Sequence, residues 1–312
     1  MRALAIDLGG THATCAAVEE RRILGSQVVA TDGAMGLKSV LPLFVETFRA
    51  IGKEAGISTK DCAGLAFSFC GLVDARTGKV VSTNQKYDDA PGLDLVAWSK
   101  SDLGLPMKIE NDARMALLGE WYAGGARGFN DVVMTTLGTG IGGAAMIDGH
   151  LLRGKHAQAG CLGGHLPVSF QGRTCTCGNI GCAEAEASGW ALPLVAKDME
   201  GFAQSALAKE EQINFEALFR LAGAGDSVAK ALRDRCLQVW AAGTVGLIHA
   251  YDPEVVVFGG GVMQSADIIL PFVQAYVEKH AWTPWGKVKV RAAELGNNAG
   301  LLGAIPLLSE QS

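Results

Sequence analysis

The chain has 312 residues, 49% hydrophobic and 19% charged, with a formal net charge of −5. That balance belongs to a well-packed globular protein, too long for one small core and without the basic stripe of a nucleic-acid surface. No apolar run reaches the ~18 residues of a membrane span.

The N-terminal "MRALAID" enters a strand at once and leaves no room for a leader peptide, so the expected location is cytoplasmic. There the eight cysteines should stay reduced, which argues against disulfides. Residues 8–25, "LGGTHATCAAVEERRILG", then read as a β-hairpin with a glycine- and threonine-rich tip. Glycine lets the backbone approach a ligand, and main-chain N–H groups with a threonine hydroxyl suit phosphate oxygens. Asp7, beside this tip, is placed to hold Mg²⁺ directly or through water. Helical spacing follows over 37–56, ending on glycine, and "AGLAFSF" (63–69) reads as a buried strand.

"KIENDARMALLGEW" places Asn111 and Asp112 at the entrance to a helix over 113–125. Either could be a plain N-cap. Capping occupies one of them and leaves the other free as an acceptor for a hydroxyl proton, and Asp112 suits that task, with Asn111 hydrogen-bonding a neighbouring hydroxyl.

The hairpin pattern then recurs. Residues 137–154, "LGTGIGGAAMIDGHLLRG", align with the first copy so that Leu8, Gly9 and Gly25 match Leu137, Gly138 and Gly154. Either copy alone could be a glycine turn and nothing more. Two copies point to a pair of phosphate grips in an α/β protein of two related halves.

"CTCGNIGC" supplies Cys175, Cys177 and Cys182, soft ligands that need a fourth for tetrahedral zinc. His165 in "GGH" is the nearest candidate, with His156 as competitor and Cys161 as an outside alternative. The plain alternative is three buried free thiols. A full ligand set would make the zinc structural, and it would fix the neighbouring Glu184 and the free ring nitrogen of His165. "PEVVVFGGGV" (253–262) is a buried strand running into a triple-glycine turn, where α/β proteins tend to place nucleotides. A glycine-led helix closes the chain, placed to return to the first half.

These segments occur in the order seen in the ROK family of repressors, open reading frames and sugar kinases, which the whole chain resembles. The specific part is CxCGxxGCxExxxS at 175–188; the hairpins are shared with the wider actin-like ATPase superfamily. The resemblance implies an α/β, two-lobed actin-like (ribonuclease H-like) fold with duplicated βββαβα-type lobes. The small lobe would span 1–113 plus a C-terminal helix near 298–312, and the large lobe 114–297 with the zinc segment 165–182.

The resemblance further implies an ATP-dependent kinase phosphorylating a sugar, typically at the 6-OH of a hexose, with a homodimer as the default assembly. Asp7, Gly9, Gly10 and Thr11 would form the first phosphate loop, Gly138, Thr139 and Gly140 the second, and Gly259, Gly260 and Gly261 the adenosine side. Asp112 would be the base, and Asn111, Glu184 and His165 would hold sugar hydroxyls. Gly71 matches the sugar-side turn and Thr83 a position that touches substrate in some members.

One departure stands out: the family's GE-x-GH glutamate is absent, and Cys161 or Leu162 takes its place in "AGCLGGHLP". Without that acceptor a sugar hydroxyl would be poorly paired, at a cost of roughly 1–3 kcal/mol. This points to a differently configured or substituted sugar, or to a water filling the gap. A catalytically silent sugar sensor is the alternative. A repressor would carry an additional N-terminal helix-turn-helix, whereas the first hairpin here begins at residue 3, so no nucleic-acid partner is expected.

Overall fold

In the computed structural model, which describes residues 1–83 and 85–310, strand β1 (Arg2–Leu8) buries the run Ala3 to Ile6 completely. Such burial requires a central strand covered on both sheet faces. β1 pairs antiparallel with β2 (His12–Glu19), and β2 pairs antiparallel with β3 (Arg22–Ala30). On its other side β1 runs parallel to β4 (Leu65–Phe69), every residue of which is buried. A small ribbon of β5 (Leu72–Asp74) and β6 (Lys79–Ser82) follows, and β7 (Met107–Asn111) joins β4 in parallel. The order is β3-β2-β1-β4-β7.

The helix expected over 37–56 forms as Leu41–Ala55, with Pro42 in its first turn and Gly56 closing it at a left-handed φ of 67°. It buries Phe44, Val45, Phe48 and Ile51 and packs on β2 and β3. The Asp112–Ala123 helix packs with two short C-terminal helices, Ala299–Leu302 and Ala304–Ser309. Gly119 permits that approach, because a side chain there would run into the backbone of Ala299.

These elements form one compact unit: Met1–Gly128, Arg153–Ala159 and the chain from Glu294 onward. The unit thus extends through the Asp112–Ala123 helix, past the boundary expected at residue 113. A buried ion network ties in the middle piece. Arg114 and Glu110 are both 0% exposed and meet at 3.3 Å, and Arg153 reaches Glu110 at 2.6 Å. Arg114 also donates to the carbonyls of Ala157 (3.1 Å) and Ala159 (2.6 Å).

The second unit, Phe129–Leu152 with Gly160–Ala293, holds β8 (Val132–Leu137), β9 (Ile141–Ile147), β10 (His150–Leu151), β11 (Val255–Gly259) and β12 (Lys289–Ala292). Their order, β10-β9-β8-β11-β12, repeats the succession of the first sheet, with an antiparallel hairpin followed by parallel strands. The duplication inferred from the hairpins therefore extends to whole sheets. The Ser227–Tyr251 helix starts at Asp226, whose carboxylate accepts the N–H of Ala229 at 2.8 Å, and places Leu237 and Trp240 in the same core as Phe258. No helix among the described residues is long and apolar enough to cross a membrane.

Candidate active site and metal centre

In the first unit the chemistry-bearing residues gather at the carboxyl ends of β1, β4 and β7, where parallel strands leave a ligand room. Asp7 lies in register with Ser68, whose hydroxyl donates to Oδ1 at 2.7 Å. Burial raises the Asp7 carboxyl above its ordinary range, while the Ser68 bond and the charge of His12 pull the other way. Gly300 sits flush against this carboxylate, since a Cβ there would fall 2.9 Å from the carboxyl carbon. The turn that follows is held by Gly9 N–H donating to the His12 carbonyl at 2.9 Å, with Gly10 and Thr11 at its tip.

Asn111 ends β7 and caps the next helix. Its Oδ1 accepts from the N–H groups of Ala113 (3.1 Å) and Arg114 (3.3 Å), and its Nδ2 donates to the Gly71 carbonyl (3.0 Å) and to Asp112 Oδ1 (2.8 Å). The amide is thus saturated by protein partners. Asp112 keeps an open surface, yet protein crowds it densely enough that loss of bulk solvation is the chief cause raising its carboxyl. Hydrogen bonding from Ala113 N–H opposes the rise, the charge of Asp7 adds to it and the Asn111 bond opposes it; the balance is a pKa pushed up to about 6. A carboxylate poised there is suited to accept a proton near neutral pH. Thr83, by contrast, is turned to Asp88, to which its hydroxyl donates.

In the second unit, Gly138 N–H donates to the Gly140 carbonyl at 3.0 Å, closing the turn through Thr139. The chain after the cysteine cluster braces it: Gly189 and Trp190 donate their N–H groups to the carbonyls of Gly138 (2.9 Å) and Thr139 (3.0 Å). Glu184 completes the brace, accepting from Ile141 N–H at 2.8 Å and from the Trp190 indole at 3.2 Å. Gly259 ends β11, and Gly260 (φ 91°) lies against the Leu137 backbone so closely that a side chain has no room, while Gly261 begins the next turn.

The ligand atoms of His165, Cys175, Cys177 and Cys182 all lie within 4.8 Å of one another. Two edges of that set can be compared with zinc geometry. Tetrahedral bonds of about 2.3 Å to sulfur and about 2.0–2.1 Å to nitrogen imply separations of roughly 3.8 Å for S···S and roughly 3.5 Å for S···N. Here Cys177 Sγ to Cys182 Sγ is 3.6 Å and Cys175 Sγ to His165 Nδ1 is 3.5 Å. The donor set therefore fits zinc. Neither His156 nor Cys161 joins it among the described residues. The knuckle is shaped by Gly178 (φ 89°) and Gly181 (φ 70°), and by Cys175 N–H donating to the Asn179 carbonyl at 2.8 Å.

Some supports were not read from the sequence. Glu186, 1% exposed, accepts Arg173 N–H at 2.7 Å and pairs with Arg235, backing the knuckle. Glu120, fully buried, accepts the N–H groups of Gly125 (2.7 Å), Glu294 (3.0 Å) and Leu295 (2.8 Å). The available signal was a glutamate within an otherwise apolar helix stretch, which gives no hint of its partners.

Comparison with known proteins agrees with this geometry. Residues 3–311 match the family model described as the ROK family. The glucokinase of Thermotoga maritima is 31% identical across 100% of this chain and 98% of its own length. The crystal structure of a ROK hexokinase from Thermus thermophilus matches with a TM-score of 0.81 at 32% identity, covering 98% of this chain and 97% of that one. A ROK family glucokinase from Streptomyces griseus, in complex with glucose and AMPPNP, gives 0.79 at 29% identity, covering 98% and 99%. These likenesses establish the α/β, actin-like ATPase fold that the motifs implied. With the family model spanning nearly the whole chain and the duplicated sheets and cysteine cluster in place, the protein belongs to the ROK family.

Proposed function

We propose that the chain is an ATP-dependent sugar kinase that transfers the γ-phosphoryl group of ATP to a hydroxyl, the 6-OH of a hexose or hexose derivative. The observation that carries this is Asp112: a carboxyl pushed up to about 6 and oriented by the saturated amide of Asn111. Phosphoryl transfer asks the protein for alignment, charge stabilisation and a proton acceptor. Asp112 accepts the proton of the attacking hydroxyl. Asn111 holds it in place and reaches a neighbouring hydroxyl by exchanging its bond to Asp112. Gly71, Thr83, His165 and Glu184 are the further candidates for sugar contact; Thr83 has first to release Asp88, whereas the Glu184 oxygens keep a lone pair each.

Phosphate oxygens are received by Gly9, Gly10 and Thr11 on the first unit and by Gly138, Thr139 and Gly140 on the second, with Gly259, Gly260 and Gly261 at the adenosine side. Asp7 is the residue that would hold Mg²⁺, which screens phosphate charge when bound. Zinc on His165, Cys175, Cys177 and Cys182 is structural, since four protein ligands leave no open position. A homodimer is the proposed assembly, to be read by light scattering. The deciding experiment is ATP-coupled turnover over a panel of hexoses, N-acetylhexosamines and ketoses. Turnover of one or more sugars is expected; binding of sugar without turnover of any would identify a sensor instead.

A further inference from the structure

One charged side chain on the first glycine turn has no part in the chemistry described so far. Lys86 lies along that turn: a Cβ built on Gly10 would stand 2.6 Å from Nζ of Lys86, 2.8 Å from its Cε and 2.9 Å from its Cδ. A Cβ on Gly33 would stand 3.0 Å from the Cβ of Lys86. Among the described residues the ammonium has no ion pair, although ten salt bridges form elsewhere.

The backbone that carries Lys86 is fixed to the turn beneath it. Tyr87, 0% exposed, donates its N–H to the Gly33 carbonyl at 2.7 Å and its hydroxyl to the Gly9 carbonyl at 2.8 Å. Gly33 N–H in turn donates to the Gly10 carbonyl at 3.2 Å. Gln85 and Tyr87, on either side of Lys86, both hold a φ of 60°. Non-glycine residues take that left-handed conformation only where surroundings impose it, and such residues gather at ligand clamps. The constraints on either side therefore fix the backbone from which the exposed Lys86 side chain extends over Gly10.

The charge balance of the region gives this placement a purpose. The charge of Asp7 already bears on Asp112, and the amides of the turn offer only partial positive charge. A polyphosphate brought to the turn adds further negative charge. We infer that Lys86 is a phosphate-binding residue of the first glycine turn, its ammonium neutralising the phosphate tail of the bound nucleotide beside Gly10. The inference deepens the kinase reading and rests on it. A lysine whose stem merely shields the glycines from water is the competing role.

The test separates these by the length of the phosphate chain. Affinities of AMP, ADP and ATP are measured by calorimetry on the full chain, for wild type, Lys86→Met and Lys86→Arg, together with thermal unfolding. In wild type ATP should bind more tightly than AMP. Lys86→Met should lose about tenfold in ATP affinity, leaving AMP affinity and the unfolding midpoint unchanged, and Lys86→Arg should recover most of it. On an accepted sugar, kcat of Lys86→Met should fall about 100-fold, the size of losing one preorganised charge donor. An unchanged ATP-over-AMP preference in Lys86→Met would overturn the inference, and so would a wild type that does not distinguish the two nucleotides. A wild type that binds ATP in this way but phosphorylates no sugar would count against the kinase reading alone.

Discussion

Glu184 Oε2 accepts the backbone N–H of Ile141 at 2.8 Å, so a residue just past Cys182 braces the second glycine turn from below. Glu184→Ala removes that acceptor and leaves the Ile141 amide unpaired, which costs about 1–3 kcal/mol. The expected result is a lowered unfolding midpoint together with roughly tenfold weaker ATP binding, at 1.4 kcal/mol per decade. Nucleotide affinity equal to wild type would show that the turn keeps its shape without this brace.

Asp112→Asn should lower kcat by about 10²–10⁴-fold while sugar and nucleotide affinities stay close to wild type. Because the Asp112 pKa is pushed up to about 6, wild-type kcat should climb as pH rises through that value. The stability effect has the opposite sense. Raised from 3.8, the folded carboxyl disfavours its charge, so this group makes the fold less stable as pH rises from about 4 to about 6. Urea midpoints across that window should lose this component in Asp112→Asn; an identical pH profile in the two proteins would remove Asp112 as the titrating group.

Elemental analysis should find about one zinc per chain, lost in Cys177→Ser and on strong chelation. Removing the ion should lower the unfolding midpoint and raise protease sensitivity near residues 165–182, because the four ligands come from separate turns of the knuckle and the ion is what would join their side chains. Metal-free protein that melts with the untreated sample would refute a structural ion here.

Arg114→Leu strips a fully buried guanidinium from Glu110 and from the carbonyls of Ala157 and Ala159. Breaking one side of a buried pair typically costs about 3–5 kcal/mol. Denaturant unfolding should show a loss of that order; a change below about 1 kcal/mol would mean that Arg153 and the Asn111 N–H satisfy Glu110 without Arg114.

Much of the site could be read from the sequence because its signals are local. The glycine turns, the C-x-C-x4-C spacing and the Asn111–Asp112 pair each lie within one short stretch, and β1, β4, β8, β9 and β11 follow from apolar runs that end at glycine. What escaped depends on long-range pairing. Tyr87 closes onto Gly9, and Glu120 onto Glu294 and Leu295, across separations that no spacing rule connects. Glu186 lies inside the quoted cysteine pattern, yet its partner Arg235 belongs to a helix whose mixed face gave no sign of it. Which of Asn111 and Asp112 caps the helix was open in the sequence; the structure gives the cap to Asn111, whose amide also reaches the Gly71 carbonyl because of how β7 meets the β4–β5 turn.

The first unit takes its last helices, Ala299–Leu302 and Ala304–Ser309, from the far end of the chain and packs them on β1 and β4. During synthesis, the strands made first must therefore wait for residues 299–309 before this face is covered. The second unit, whose last strand ends at Ala292, has all its residues sooner. Released fragments that end just before Glu294 should then present a finished second unit and an unfinished first one, the reverse of the usual order of maturation.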